Sequence, residues 1–285
     1  MPQALSIILP AKNEAPALVS LLPELRRHQS DAEIIVVNDG STDDTVQTCR
    51  EHGVKVVSHL YGMGNGAAVK SGARAATGDV LIFMDADGQH KPEDIARLVA
   101  KLEEGYDMVV GARDRSSQAG AHRAAANGFY NRFSSWMVGH EIRDLTSGFR
   151  AVRASRFRKF LYLLPNGFSY PTTITMSFFR AGFGVAYVPI QAPKRIGKSH
   201  VRIMRDGVRF LLIIFKIGTL HSPLKIFLPF SAAFFLLGLG NYLYTFLSVH
   251  RFTNMSGLLL IASMTTFLMG LMSEQITSLN YKDSE

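Results

Sequence analysis

The sequence predicts an α/β domain on a mostly parallel sheet, followed by a two-helix membrane hairpin. Three observations carry that expectation. Short apolar runs alternate with helical stretches through the first part of the chain, informative polar residues stand directly after those runs, and two long uncharged segments occupy the last quarter. At 285 residues the chain has room for one sizeable domain and something smaller.

The runs Leu5–Leu9, Ile34–Val37, Val54–Ser58, Val80–Met84 and Met108–Gly111 read as strands. Between them lie helix starts: Ser41-Thr-Asp-Asp before Thr45, and Pro92 in a first helical turn. Strand and helix in alternation predict a parallel sheet covered on both faces, with ligands at the carboxyl ends of the strands. Beyond Gly111 the chain turns polar and basic around a helix predicted near Asn127–Val138. Its Phe129, Phe133, Trp136 and Met137 form an apolar stripe that fits a core face or a helix lying in the membrane interface, and the spacing leaves both open. The stretch Gly207–Leu220, with Phe210, Leu211, Ile214 and Ile217 beside Arg209 and Lys216, is the better interfacial candidate because it adjoins the first uncharged segment.

That segment, Ile226–Val249, and its successor, Phe252–Ser273, carry no charged residue. At about 1.5 Å per residue, each can cross a hydrocarbon core of about 30 Å. Only His250 and Arg251 separate them, which predicts a tight hairpin. The net charge of +8 is concentrated just before it, in Lys194, Arg195, Lys198, Arg202, Arg205, Arg209, Lys216 and Lys225 against the single acid Asp206. A basic block beside a span marks the cytoplasmic side and attracts anionic headgroups, so the partner is expected to be membrane and not nucleic acid. No basic region precedes Leu5–Pro10, so no secretory signal is expected and the domain is expected to face the cytoplasm from the cell membrane. The one cysteine, Cys49, excludes an intrachain disulfide.

Four motifs stand at strand ends. In Phe83-Met-Asp85-Ala86-Asp87-Gly-Gln89-His90 two carboxylates flank one small residue, a placement that suits Mg²⁺ or Mn²⁺ shared with a substrate diphosphate. In Asn38-Asp39-Gly40-Ser41-Thr42-Asp43, Asp39 can accept from a nucleobase or ribose; equally, Asp39, Ser41 and Asp43 can turn the chain and cap a helix. The others are Leu9-Pro10-Ala11-Lys12-Asn13-Glu14 and Gly62-Met-Gly64-Asn-Gly66. The last lacks the Gly-x-Gly-x-x-Gly spacing, which excludes nicotinamide binding.

In this order and spacing the motifs resemble the family 2 glycosyltransferases with a GT-A fold, closest to dolichyl-phosphate mannose synthase and its bacterial polyprenyl-phosphate relatives. The stretches Gly64–Asp79, Asp85–His90 and Arg143-Asp-Leu-Thr-Ser-Gly-Phe-Arg150 carry the likeness, which extends over residues 5–200. It implies a cytoplasmic GT-A domain over 1–200, a juxtamembrane amphipathic helix over 201–223 and two transmembrane helices with a short tail over 224–285. By the same resemblance Pro10, Ala11, Glu14, Asp39, Asp85, Ala86 and Asp87 hold the nucleotide sugar, GDP- or UDP-linked. Asp85, Asp87 and Gln89 hold the metal, and Arg113, Arg123, Asn127, Arg195 and Ser199 the acceptor phosphate. Asp85, Asp87, Arg113, Arg123 and Arg195 are the expected catalytic set. His200 stands where the family often has Lys.

The implied reaction is inverting transfer of a hexose, of mannose or glucose type, to a polyprenyl phosphate. That nucleophile is already ionised and needs no base. Asp144 is the best candidate for a base if one exists, and is expected instead to orient neighbouring basic side chains. The rival enzyme class, processive polysaccharide synthases, carries a Gln-x-x-Arg-Trp motif; the only tryptophan here, in Ser135-Trp136-Met137, does not belong to one. A catalytically silent nucleotide-sugar-binding anchor is the other alternative. Similar enzymes form homo-oligomers, often tetramers, and one is expected here.

Overall fold

The computed structural model describes residues 4–113, 121–167, 169–191, 215 and 218–280, with side chains of the helix at 121–138 described from 128 onward. Several residues singled out above lie outside that set: Arg195, Ser199, most of the basic block and most of the stretch 201–223 expected to be helical. So do the side chains of Arg123 and Asn127. The described residues fall into two compact units, one within Met1–Ser135 and His140–His200, the other within Trp136–Gly139 and Val201–Glu285.

In the first unit the predicted strands form, as β1 (Leu5–Ala11), β2 (Glu33–Asn38), β3 (Lys55–Ser58), β4 (Val80–Phe83) and β5 (Met108–Arg113). Two more, β6 (Arg150–Arg153) and β7 (Val185–Ile190), complete a sheet of order β3-β2-β1-β4-β6-β5-β7. Only β6 runs antiparallel to its neighbours, so the carboxyl ends of β1, β2, β4 and β5 share one edge. From β1 the chain moves outward to β2 and β3, then crosses back through a helix to lay β4 on the other side of β1. Such a reversal opens a crevice at the strand ends. Helices α1 (Ala15–His28), α2 (Thr45–Glu51), α3 (Asn65–Ala75) and α4 (Asp94–Glu103) follow the first strands in turn, and α5 (Ala121–Val138), α6 (Ala154–Arg158) and α7 (Tyr170–Arg180) follow later. The core reads directly from the strands: Ile7, Leu9, Val36, Ile82 and Val109 are all sealed from solvent against Leu18 and Leu22 of α1 and Leu98 of α4. Burial pushes the Cys49 thiol up to about 11, which makes it an inert part of that core.

At the opposite edge of the sheet Glu33 works as a staple. Its carboxylate accepts from Ser6 Oγ at 2.6 Å, Thr77 N at 2.8 Å and Lys55 Nζ at 2.9 Å. Burial alone would raise its pKa, but these donors outweigh it and bring the group from 4.5 to about 2. The stabilisation is therefore complete above pH 4.5 and is lost as pH falls toward 2. Glu33→Gln should cost about 2 kcal/mol at neutral pH. The gap from the parent in denaturant unfolding should close over that acid window; a gap that persists at pH 2 would show that the ionised staple is not its source.

On α5 the two readings of the aromatic stripe separate. Tyr130, Ser134 and Met137 face inward, Phe133 is half-buried, and Phe129 and Trp136 are exposed at 60% and 51%. Only the Met137 edge of the stripe is core.

The second unit holds α8 (Pro223–Val249) and α9 (Asn254–Asn280), each long and apolar enough to cross a membrane. Small residues line their seam, which lets the backbones approach. Ser231 Oγ donates to the Ser263 carbonyl at 3.0 Å and Ser263 Oγ to the Ser231 carbonyl at 2.9 Å. At the turn, Asn241 Oδ1 accepts from Thr253 and Ser256, and His250 closes α8 in the left-handed region at φ 52°. Leu236, Leu247, Ile261 and Met272 point outward, as lipid-facing positions do. At the base, Lys225 Nζ donates to the carbonyls of Trp136 and Met137 at 3.2 and 2.8 Å.

Candidate active site

Each wall of the site begins where a strand stops. After β1, Asn13 takes a left-handed turn at φ 57° and its side chain accepts from Thr42 N at 2.8 Å. Ser41, Asp43 and Thr45 bond in return to the amides of Asn13, Ala15 and Glu14. The Ser41–Asp43 stretch therefore clamps the Pro10–Glu14 turn in place.

Asp39, after β2, is 5% exposed. Its Oδ1 accepts from His59 Nδ1 at 2.8 Å and Met63 N at 2.7 Å, and its Oδ2 from Gly64 N at 2.9 Å. His59 is fixed in turn through Nε2 to Ser71 Oγ at 2.9 Å. Burial opposes ionisation of Asp39, yet the His59 and amide hydrogen bonds bring its pKa below the usual range. The carboxylate is thus an anchor for the Gly62–Gly64 loop. Gly64 has φ +102°, and a Cβ there would meet the Asn166 carbonyl at 2.4 Å, so only glycine lets this loop pass.

After β4, Ala86 is buried while the Asp85 and Asp87 side chains project from the turn. Asp85 is 41% exposed at the side chain, with His90 Nε2 3.5 Å from its Oδ2. Desolvation would raise its pKa, but His90, Arg113 and Arg150 together hold it low. Asp87 Oδ1 accepts from Gln89 N at 3.1 Å, which fixes the turn. The His90 ring stacks on Phe149 at 4.9 Å.

After β5, Arg113 lays its fork on Asp144: Nε to Oδ2 at 2.8 Å and Nη2 to Oδ1 at 3.0 Å. Asp144 also accepts from Arg113 N, from Thr146 N and Oγ1, and from Ser147 N. It is 3% exposed. Desolvation is the largest influence on its pKa, but the Arg113 contacts overcome it and lower the pKa.

Pro10, Ala11, Glu14, Asp39, Asp85, Ala86, Asp87 and Gln89 all line one cavity of about 570 Å³ at the strand ends. Arg113 does not line it. Residues without an assigned role in the sequence reading complete the walls, among them Lys12, Asn65, Thr146, Gly148, Tyr170 and Pro171. Thr146 and Gly148 lie in the Arg143–Arg150 stretch, which signalled their importance without a role; Tyr170 and Pro171 open a helix that no motif announces. Among the described residues no three His, Cys, Asp or Glu side chains gather to hold a metal unaided.

This sheet, with its one reversed strand and a cavity at the crevice between β1 and β4, is a GT-A fold, the architecture of one class of glycosyltransferases. Residues 6–161 match Glycosyl transferase family 2, and the chain belongs to that family of enzymes. Residues 222–279 match the GtrB C-terminal hairpin. The chain is 28% identical over 249 residues to Glycosyltransferase AglJ of Haloferax volcanii, covering 85% of this chain and 81% of that one. It is 35% identical over 162 residues to the undecaprenyl-phosphate 4-deoxy-4-formamido-L-arabinose transferase of Klebsiella pneumoniae. That match covers 52% of this chain and spans about half, 48%, of the relative's length. Among solved structures, glucosyl-3-phosphoglycerate synthase from Mycobacterium tuberculosis in complex with Mn²⁺, UDP-glucose and phosphoglyceric acid superposes with a TM-score of 0.61 at 20% identity. It covers 76% of this chain and 80% of that one, a likeness of fold.

Proposed function

We propose that this enzyme transfers a hexose, of mannose or glucose type, from a nucleotide diphosphate to a polyprenyl phosphate, with inversion, at the cytoplasmic face of the cell membrane. The observation that carries the proposal is Asp144. Six donors surround its two oxygens, so the residue best placed by sequence to act as a base is committed to structure. A hydroxyl acceptor needs such a base. A phosphate acceptor does not, because its second pKa is about 6 and it arrives as a dianion. The hairpin supports an acceptor that resides in lipid, and the relatives' names point the same way: the Klebsiella enzyme acts on undecaprenyl phosphate.

The cavity supplies the donor half. The Pro10–Glu14 turn and the loop anchored by Asp39 form the nucleoside end, and Asp85, Asp87 and Gln89 the diphosphate end. Two carboxylates and an amide are hard oxygen donors that leave coordination open for phosphate oxygens, which fits Mg²⁺ or Mn²⁺ held jointly with substrate. Bound there, the ion would neutralise charge on the departing diphosphate. Arg113, oriented by Asp144, brings positive charge to the acceptor side, where we also place Arg123, Asn127, Arg195 and Ser199. An oxygen of the acceptor phosphate then attacks the anomeric carbon from the face opposite the diphosphate. Membranes containing the enzyme, given GDP-mannose, UDP-glucose or UDP-N-acetylglucosamine with a polyprenyl phosphate, with and without Mn²⁺, test this. A metal-dependent glycolipid from one hexose donor is expected; none from any donor would refute the proposal.

The same reading places both ends of the hairpin in the cytoplasm and the 250–254 turn outside. In a Thr253→Cys variant, an impermeant thiol reagent should label intact cells or right-side-out vesicles. Labelling only after permeabilisation would reverse the topology.

A further inference from the structure

Arg150 opens β6, paired with Phe83 of β4 on one side and Val110 of β5 on the other, and it is fully buried. Among the described residues no carboxylate bonds to it. Apart from the Met108 sulfur at 3.9 Å, its partners are oxygens of the Ser147–Gly148 turn and of the start of α7, two segments that each put residues into the cavity wall. Nη2 donates to the Ser147 carbonyl in a short contact, and Nη1 donates to the Pro171 carbonyl and Thr175 Oγ1, each at 3.2 Å. The guanidinium carbon lies 5.9 Å from the centre of the Tyr170 ring, and Tyr170 Oη donates to the Gly148 carbonyl at 3.5 Å.

A buried cation without an acid is costly, and a packed aliphatic side chain commonly serves a core better. Core stability therefore does not account for this residue; what it joins does. The Ser147–Gly148 turn backs directly onto Asp85, since a Cβ at Gly148 would stand 2.9 Å from Asp85 Oδ2. Tyr170 and Pro171 line the same cavity. We infer that Arg150 is a positioning residue for the donor diphosphate end: its fork ties the Ser147–Gly148 turn to Pro171 beneath the cavity and so sets where the Asp85 carboxylate sits. The planar fork reaches both carbonyls at once; a lysine ammonium, a compact point charge, does not reproduce that span. The inference rests on the proposed donor role of Asp85.

The test is binding of GDP and of UDP to the full-length protein in detergent, by calorimetry with and without Mn²⁺. In Arg150→Lys, metal-free nucleotide affinity should stay within about twofold, because the nucleoside end is anchored separately through Asp39, whereas the gain in affinity from Mn²⁺ should shrink by about tenfold or more. Gly148→Ala disturbs the same carboxylate from the cavity side without touching the core cation, and should lose the Mn²⁺ gain alike. The double variant should lose little more than the worse single one, because both act through one contact. If Arg150→Lys does not fold, Thr175→Val removes one acceptor of the fork and leaves the charge in place; a loss of about threefold, confined to the Mn²⁺ gain, is expected there. A full Mn²⁺ gain in both Arg150→Lys and Thr175→Val would overturn the inference. So would equal losses with and without metal, or losses that multiply in the double variant. A parent protein with no Mn²⁺ gain for either nucleotide would overturn the donor-site reading and this inference with it, whereas a normal gain in the parent that survives in the variants defeats the inference alone.

Discussion

Asp87→Asn should reduce transfer by about a hundredfold to a thousandfold while leaving the protein folded and in the membrane. The residue sits half-buried on a strand-end turn, where its Oδ1 accepts the Gln89 amide at 3.1 Å. An asparagine oxygen keeps that bond, so the turn survives. What disappears is one negative charge from a pair whose proposed task is to hold a divalent ion against the donor diphosphate. Initial rates over a range of Mn²⁺, together with an unfolding midpoint, separate the two effects. Near-parental activity in a normally folded variant would remove Asp87 from the metal site.

The second large effect is expected at Asp144, and it discriminates between mechanisms. Asp144→Asn should slow transfer by one to two orders of magnitude, as Arg113 loses the carboxylate that aims it. It should also destabilise the fold by about 3 kcal/mol, because a buried pair is broken from one side. The Asp144 pKa is lowered in the folded protein, so its stabilising effect is present above the usual carboxylate value of about 4 and fades as pH falls through the folded pKa. The unfolding curves of parent and variant should therefore converge in acid. The pH profile of the residual rate is the mechanistic test. With donor saturating, it should rise through about pH 6 in both proteins, following ionisation of the acceptor phosphate. A variant that binds both substrates and shows no turnover would mean that a protein base is required.

Much of the site was legible because its chemistry sits at strand ends. A run such as Leu5–Leu9 or Val80–Met84 announces a buried strand by hydropathy alone, and Pro10, Asp39 and Asp85 follow such runs directly. β6 was not legible, since Arg150-Ala-Val-Arg153 is charged at both ends and a fully buried arginine contradicts the hydropathy signal that marks a central strand. β7 carries Pro189, which argues against a central strand; the structure puts it at the sheet edge, where proline is tolerated.

Asp39 shows a different limit. The sequence places its carboxylate at a strand end, open to either reading, but His59, Met63 and Gly64 come from a loop 20 to 25 residues away, and no spacing rule reveals that they fold back onto it. On α5 the periodicity picked out Phe129, Phe133, Trp136 and Met137, but the inward face is that of Tyr130, Ser134 and Met137, two of which lie outside that stripe.

On the proposed reading the acceptor is a lipid phosphate whose charge replaces a protein base. That reading is tested most directly by giving the purified enzyme its active donor with either a polyprenyl phosphate or the matching polyprenol, in the same detergent and with Mn²⁺, and measuring sugar transferred to lipid. Transfer to the phosphate and none to the alcohol is the predicted result; comparable transfer to the alcohol, or none to the phosphate, would contradict it.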